Sequence, residues 1–181
     1  GRARARAVVV ATDPPAAAAL VPRLRVPPMN ALTTLYHLAP EPPTSACALH
    51  LDGDRRGPVV NTSMISNVAP SYAPLRTLVS SSVVGAHDDA ASERAVRGHL
   101  TRIYGTDTSR WEHVRTYALP SALPAMPPPL DVRQPVRLGA GLYVAGDHRD
   151  TASIQGAMSP DAVPPRPSYA TWAARPAPNG W

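Results

Sequence analysis

The sequence predicts an α+β fold, with strands arranged as antiparallel hairpins, one long helix in the middle of the chain and a short apolar strand near each end. Three observations lead to this prediction. Apolar and polar residues alternate in several segments before residue 84, as they do in strands with one buried face. Residues 88–104 carry apolar side chains at helical spacing. Residues 7–12 and 142–147 are short, mostly apolar runs, which is typical of strands buried on both faces.

The first predicted strand covers residues 7–12, whose sequence AVVVAT is rich in β-branched residues. Asp13-Pro14-Pro15 ends it, because proline has no N–H group for a strand ladder. Residues 16–20 can form one or two helical turns after these prolines. The proline-bounded segment at residues 22–28 is predicted to be a loop.

An antiparallel hairpin is predicted next. Residues 31–39 and 46–51 alternate well enough for strands, and the cluster DGDRRG at residues 52–57 is typical of a turn. The turn leads into residues 59–61, which would form the returning strand. Residues 75–84 are a further candidate strand.

The clearest helix is predicted at residues 88–104. Its acidic side chains stand at the start and its basic ones toward the end, an order that complements the helix dipole. Gly105 follows as a natural stop. After the helix, residues 111–119 alternate as a strand does, and residues 120–129 are expected to form a rigid extended segment because prolines dominate them.

Composition and charge exclude several functions. The net charge of +5 would suit a nucleic-acid partner, but the arginines are spread along the chain and form no basic stripe with aromatic residues, so no nucleic-acid function is predicted. The single cysteine, Cys47, excludes a disulfide scaffold and a cysteine zinc site. The histidines have no metal-ligand spacing, so no metal site is predicted. No apolar run is long enough for a transmembrane segment.

The most informative segment for chemistry is residues 139–158. A short apolar strand ends there at Gly146-Asp147, and small and polar residues follow where a helix would start. Free N–H groups at a helix start favour an anionic group such as a phosphate, and a carboxylate at a strand end can accept hydrogen bonds from sugar hydroxyls. The alternative is a plain strand-to-helix turn in which the aspartate caps the helix.

The same segment resembles a known protein family. Residues 143–147 (YVAGD) and 153–158 (SIQGAM) are similar to the C-terminal flavin-binding motif of the FAD-dependent amine oxidoreductases, the superfamily of flavin monoamine oxidases, protoporphyrinogen oxidase and phytoene desaturase-like enzymes. Residues 7–15 resemble the strand with which the family re-enters its FAD domain. Residues 117–129 resemble the stretch before its last flavin motif. The three features occur in the family's order.

This resemblance implies an FAD cofactor and a role for each matching residue. The Asp147 carboxylate would accept hydrogen bonds from the ribityl or phosphate-linking part of FAD, and the backbone around Gly146 and His148 would approach the pyrophosphate. The start of the following helix would lie near the flavin ring, and the end of the first strand would line the crossing near the cofactor. The implied cofactor-binding residues are Ala11, Thr12, Gly146, Asp147, His148, Ile154, Gln155 and Ala157.

The resemblance also implies an incomplete cofactor site. The family begins with a βαβ unit that carries a GxGxxG fingerprint, and no such pattern occurs in these 181 residues. We therefore expect the C-terminal portion of a longer protein, with a substrate domain of mixed or antiparallel sheet and helix plus terminal strands of an incomplete FAD-binding Rossmann-like domain. The expected segments are residues 1–20 (strand and crossing segment of the FAD domain), 21–135 (substrate domain), 136–158 (C-terminal FAD-binding strand and helix start) and 159–181 (irregular proline-rich tail).

Two functions are consistent with these observations. The first is a C-terminal fragment of an FAD-dependent oxidoreductase, inactive alone, whose full-length form acts on a small, apolar molecule. For this function we expect the cytoplasm or a plastid rather than secretion, with peripheral membrane contact left open. No catalytic residue can be named from the sequence. The second is a non-catalytic interaction module that docks partners through its proline-rich tail.

Overall fold

The structure is a computed structural model that describes residue 1, residues 4–129 and residues 131–159. The tail predicted at residues 159–181 therefore lies outside the described residues, except for Ser159. The chain divides into two compact units. Unit 1 combines the chain up to Pro28 with the chain from Pro124 onward, and unit 2 is Met29–Leu123. The expected domain limits at residues 20 and 135 remain predictions.

The described residues form an α+β fold of mostly antiparallel strands and few helices, as predicted. In chain order the strands are β1 (Val8–Val10), β2 (Met29–Ala39), β3 (Leu49–Leu51), β4 (Val59–Met64), β5 (Thr77–Val84), β6 (Glu112–Pro124), β7 (Arg137–Gly139) and β8 (Leu142–Val144). The α-helices are α1 (Pro14–Leu20), α2 (Ile65–Val68), α3 (Ala90–Tyr104) and α4 (Ile154–Ala157).

Unit 2 is built on a five-stranded sheet with the order β3-β4-β5-β2-β6. β3 and β4 form the predicted antiparallel hairpin, with Leu51 opposite Asn61. β5 lies between β4 and β2 and pairs antiparallel with both. The alternation read from the sequence is visible in β2, where Thr33, Leu35, His37 and Ala39 are buried and the residues between them are half-buried. One side of the strand therefore faces the core of the unit.

The predicted long helix is α3, and it begins and ends as its sequence indicates. The Asp89 carboxylate caps the helix by accepting the N–H of Ser92 at 2.8 Å. Gly105 ends it in the left-handed conformation, with φ of 62°. Its buried side chains pack with apolar residues of the sheet into one core. That core consists of Leu35, Ala39, Val59, Met64, Val79, Val83, Val96, Leu100 and Trp111.

Strand β6 extends further than the sequence indicates. Residues 111–119 were predicted as a strand and residues 120–129 as a rigid extended segment, but β6 continues to Pro124 and includes Pro120. It lies at one end of the strand order. Because an edge strand leaves one row of backbone groups unpaired, it tolerates residues that lack an N–H group.

Unit 1 contains a three-stranded sheet with the order β1-β8-β7. β1 runs parallel to β8, with Val8 opposite Leu142 and Val10 opposite Val144. β7 pairs antiparallel with β8 and was missed by the sequence analysis. Helix α1 follows β1 directly, capped by Asp13, whose carboxylate accepts the N–H of Ala16 at 2.8 Å. A small core forms between these elements from Val10, Ala17, Leu24 and Val144.

The expectation that the first strand is buried on both faces is wrong for the residues described. Val8 is 53% exposed and Val9 is 46% exposed, and only Val10 is buried. Val8 and Val9 point to opposite faces of the sheet, and the described residues leave both side chains largely uncovered, whereas Val10 packs into the small core of unit 1. Among the described helices, none combines the length and apolar character that crossing a membrane requires.

Candidate functional site

The carboxyl ends of β1 and β8 meet at one edge of the sheet in unit 1. The two strands are parallel, and the N–H of Ala145 donates to the Val10 carbonyl at 2.9 Å just beyond the last paired residues. The residues that follow each strand, Ala11-Thr12 and Gly146-Asp147, therefore leave the sheet side by side. We call these four residues the strand edge. The structure thus brings together two segments that are far apart in the sequence.

The β1 side of the strand edge is open. Ala11 and Thr12 are both exposed. The Thr12 hydroxyl donates to the Asp13 carbonyl at 3.3 Å, and the Asp13 carboxylate is occupied in capping α1. A ligand at this side would therefore contact backbone groups and the Thr12 side chain.

The β8 side of the strand edge turns sharply at Gly146. Its φ is 150°, a conformation that residues with a side chain rarely adopt. A Cβ atom at this position would lie 2.7 Å from Nδ1 of His148 and 2.8 Å from its Cε1. Glycine is required here because the backbone passes directly against the imidazole of His148. The half-buried Asp147 then opens a single 3₁₀ turn, Asp147–Arg149.

The side chain of His148 points into unit 1 and is only 5% exposed. Both ring nitrogens are buried, and neither has a hydrogen-bond partner among the residues described. Burial lowers the pKa of this imidazole, the neighbouring Arg149 lowers it further, and Asp147 opposes them with a smaller effect. His148 is therefore neutral near pH 7, with one N–H donor and one lone-pair acceptor.

Arg149 is a buried residue at this site that the sequence analysis did not select. It is 4% exposed, and its Nη2 donates to the Pro135 carbonyl at 3.0 Å. Its own carbonyl accepts the N–H of Gln134 at 2.9 Å. Burial lowers the pKa of the guanidinium. Arg149 joins the turn after β8 to the chain that precedes β7.

Helix α4 carries the three remaining predicted residues and packs against the turn at Asp147–Arg149. Ile154 is 76% exposed, Gln155 is exposed and Ala157 is half-buried. The Ser153 hydroxyl caps the helix by accepting the N–H of Gly156 at 3.0 Å. A Cβ atom on Gly156 would collide with the Thr151 carbonyl, so the tight turn before α4 accounts for this glycine.

Unit 1 also contains a cavity of about 340 Å³ that is partly open to solvent. Its lining comes from residues 25–28, from residues 124–127, 129, 131, 132 and 134, and, near the turn after β8, from His148, Asp150 and Ala152. We call it the proline cavity, because its lining includes Pro27, Pro28, Pro124, Pro127 and Pro129. The sequence motif does not predict this cavity, because the segments that line it are irregular and lie about 100 residues apart in the sequence.

Unit 2 contains a separate buried polar cluster. His37 Nε2 lies 3.0 Å from Glu93 Oε1, and the Arg97 Nη2 donates to the same carboxylate oxygen at 2.6 Å. Arg97 also donates to the Trp111 carbonyl. The cluster joins β2, α3 and the residue before β6, and its histidine is fully buried.

Comparison with known proteins decides the family. The sequence pattern of the family described as flavin containing amine oxidoreductase matches residues 1–159. The chain belongs to that family. A comparison with curated proteins finds no match. The family resemblance read from residues 7–15, 117–129 and 143–158 is thereby confirmed, and with it the assignment of this domain to flavin-containing oxidoreductases.

Two solved structures share the fold of this amine oxidoreductase domain. An oxidoreductase from Methanosarcina mazei is 17% identical, with a TM-score of 0.58, over 84% of this chain and 41% of that protein. A protein assigned as a protoporphyrinogen oxidase from Exiguobacterium sp. 255-15 is 16% identical, with a TM-score of 0.63, over 86% of this chain and 39% of that protein. The chain therefore spans about two fifths of the length of either structure.

Proposed function

We propose that this chain supplies one part of an FAD-dependent oxidoreductase, in which the strand edge contacts FAD and unit 2 belongs to the substrate domain. The parallel pairing of β1 with β8 carries the proposal, because it sets Ala11-Thr12 beside Gly146-Asp147. In open parallel sheets, ligands bind outside the carboxyl ends of the strands. The alternative interpretation of Gly146-Asp147 is a plain strand-to-helix turn with a capping aspartate. It would not explain why β1 ends beside the end of β8.

The residues of the strand edge fit the polar part of FAD. The Gly146 backbone and the half-buried Asp147 lie at this edge, and the Asp147 carboxylate can accept hydrogen bonds from ribityl hydroxyls. Ala11 and Thr12 are exposed beside them. On α4, Ile154, Gln155 and Ala157 are the residues assigned to the flavin ring, and Ile154 and Gln155 are exposed as that assignment requires. Bound FAD would supply the two-electron oxidation, and these side chains would hold and orient it.

The fit is partial, because the glycine-rich turn that cradles a dinucleotide pyrophosphate does not occur in these residues. We infer that residues 1–181 are not sufficient for tight FAD binding or for turnover. A segment that carries the GxGxxG turn must complete the site. This inference rests on the missing pattern and on the incomplete fit at the strand edge.

The proposed substrate is a small apolar molecule. Strand β6 supports this choice, because Tyr117, Leu119 and Leu123 are about half exposed and lie at alternating positions. Side chains separated by an even number of residues point to the same face of a strand. These three residues therefore form an apolar stripe. A substrate domain that presents such a stripe suits a substrate with little charge.

The experiment measures flavin retention by residues 1–181, first alone and then mixed with the GxGxxG-bearing half of a related amine oxidoreductase. We expect no flavin absorbance to stay with the chain alone after gel filtration, and partial retention after mixing. Asp147→Asn should weaken the retention, and the matched control Asp131→Asn, at an exposed carboxylate outside the strand edge, should not. Stoichiometric FAD binding by the chain alone would refute the incomplete site. Absence of retention after mixing would refute the flavin site itself.

The alternative function, a non-catalytic interaction module, rests on the proline-rich tail. That tail lies outside the described residues. The alternative stays a prediction, and the flavin experiment separates the two functions because an interaction module would retain no flavin under either condition.

A further inference from the structure

A second cavity in unit 1 is lined by all three strands of its sheet. It is a groove of about 950 Å³, partly open to solvent, and its volume is at the upper end of the range typical of ligand pockets. We call it the sheet groove. Residues 20–25, at and after the end of α1, form another of its walls. Aliphatic side chains dominate the lining: Val8, Val10, Leu20, Leu24, Leu138 and Leu142.

The aliphatic walls of the sheet groove are held by the sheet and by the small core of unit 1. Val8 and Val10 lie on the same face of β1, and Leu142 is opposite Val8 on the neighbouring strand. Val10 belongs to the core, and Leu142 packs against it. Val8 is nevertheless 53% exposed and Leu20 is 65% exposed, so the described residues leave apolar surface in the groove uncovered. Because no aromatic side chain lines it, the groove suits a flexible aliphatic chain.

All the charged side chains that line the sheet groove are basic. Arg23, Arg25 and Arg149 contribute to it, and no aspartate or glutamate of the described residues does. Arg23 and Arg25 are exposed to solvent, whereas Arg149 is buried. Charges of one sign in a cleft with apolar walls attract a ligand of the opposite sign. The groove therefore favours a molecule that carries a negative charge.

Arg149 brings a buried charge without a counter-ion to this groove. It is 4% exposed; its Nη2 donates to the Pro135 carbonyl, and its Nε is enclosed without a partner among the described residues. Nη1 also has no hydrogen bond within the described part of the chain, but unlike Nε it is not enclosed, so a ligand in the groove can reach it. Burial lowers the pKa of the guanidinium, and no described carboxylate opposes that effect. A buried charge is costly unless an opposite charge pairs with it.

We propose that the sheet groove binds an aliphatic carboxylate, with the alkyl chain against the valines and leucines of the walls and the carboxylate accepting a hydrogen bond from Arg149 Nη1. The aliphatic lining and the unpaired guanidinium together select this class of ligand. The site goes beyond the proposed flavin function, because none of the four residues of the strand edge lines the groove.

The test compares two probes with the same alkyl chain length, octanoate and 1-octanol, in titrations of the 181-residue chain without flavin. Nuclear magnetic resonance of labelled valine and leucine methyl groups follows each titration. We expect saturable binding of both probes, with octanoate bound about tenfold more tightly, the effect of one hydrogen bond to a charged group. The methyl resonances of Val8 and Leu142 should shift. Those of Leu49 and Leu51, which are exposed in unit 2, should not.

Two variants assign the charge to Arg149. Arg149→Met keeps an unbranched side chain but removes the charge and its donors, so it should reduce the affinity for octanoate about tenfold and leave the binding of 1-octanol in place. Arg137→Met is the matched control, because it removes the same charge from an exposed residue of unit 1 outside the groove lining. It should leave both affinities unchanged. Thermal unfolding checks that both variants are folded.

Equal affinity for the two probes would overturn the proposal, as would methyl shifts of the same size at Leu49 and Leu51, or a preference for octanoate that survives Arg149→Met. The titration of the unaltered chain decides the matter even if that variant does not fold.

A further titration separates a ligand site from a contact between polypeptides. Octanoate should stay bound when the GxGxxG-bearing half of a related amine oxidoreductase is added. Its displacement would assign the groove to a polypeptide segment and overturn the proposal. Because no flavin is used, failure here leaves the flavin proposal standing, and failure of flavin retention leaves this one standing.

Discussion

Asp52 and His99 form a buried pair in unit 2, with His99 Nε2 2.9 Å from Asp52 Oδ2. The other ring nitrogen, Nδ1, accepts the N–H of Val59 at 3.1 Å. Because Nδ1 accepts, the ring proton of the neutral imidazole must be on Nε2, and it is donated to the carboxylate. One imidazole of α3 therefore fixes both the turn after β3 and the first residue of β4. Gly57 lies against the same ring, since a Cβ atom there would collide with it.

We predict that His99→Phe lowers the free energy of unfolding by about 1–3 kcal/mol, the usual cost of a buried N–H that loses its partner. Phenylalanine keeps a planar ring but cannot accept the N–H of Val59. Urea unfolding measures the change. The control is His87→Phe, because His87 is exposed and the substitution should alter the free energy by less than about 0.5 kcal/mol. Equal losses in the two variants would contradict a specific role of the His99 ring.

Acid should destabilise unit 2 through its buried histidines. Burial lowers the pKa of His37 and of His99 below the ordinary value, and the hydrogen bonds of these rings with Glu93 and Asp52 only partly oppose that effect. The unfolded chain therefore binds protons that the folded chain does not. Stability from this source is fully present above the unfolded pKa of about 6.5 and is lost as the pH falls below it toward the lowered folded values.

The measurement is urea unfolding at several values between about pH 8 and about pH 5. We expect a constant free energy at the upper end and a decline below about pH 6.5. The decline should be shallower in His99→Phe, which removes one titrating group. Glu93 adds to the loss only at lower pH: burial would raise its pKa, but hydrogen bonds from Arg97 and His37 outweigh burial and lower it. A free energy that increases on acidification would contradict the assignment.

Periodicity and end signals made much of unit 2 predictable. The acidic start, basic end and Gly105 of α3 are local features, and the observed helix begins two residues after the predicted start and ends at the predicted residue, Tyr104. The turn at residues 52–57 likewise determines a hairpin within a short stretch of chain. Such elements depend on neighbouring residues, so the sequence specifies them well.

The misjudged features depend on distant neighbours. The exposure of Val8 and Val9 depends on which elements cover the two faces of β1, which no local pattern records. Strand β7 is three residues long and has no periodicity to detect. At the candidate site, the motif predicts that Gly146 and Asp147 contact the cofactor, but it gives no sign that the His148 side chain is buried, because burial depends on residues distant in the sequence. Arg149 and the proline cavity were not predicted for the same reason: both depend on contacts between residues that are distant in the sequence.

Gly146→Ala should destabilise unit 1 and displace the His148 ring. The positive φ and the contact between the new Cβ and the imidazole each oppose the native conformation. We expect a loss of about 1–3 kcal/mol in the free energy of unfolding and a shift of the His148 ring resonances. Gly139→Ala is the control, because a Cβ atom there would meet none of the described residues within 4 Å and the φ angle is not positive. Comparable losses in both variants would mean that the geometry at Gly146 is not the cause.

Gly98→Ala should stabilise the chain. Gly98 is exposed in the interior of α3, and a Cβ atom there would meet nothing within 4 Å of the described residues. Alanine restricts the unfolded chain and favours the helix, so we expect the free energy of unfolding to rise by about 0.5–1 kcal/mol. Gly105→Ala, one residue beyond the same helix, should have the opposite effect, because its φ of 62° is unfavourable for a residue with a side chain. Thermal unfolding of the two variants gives opposite shifts if α3 has the described ends. A stabilising Gly105→Ala would show that the helix does not end in the left-handed conformation.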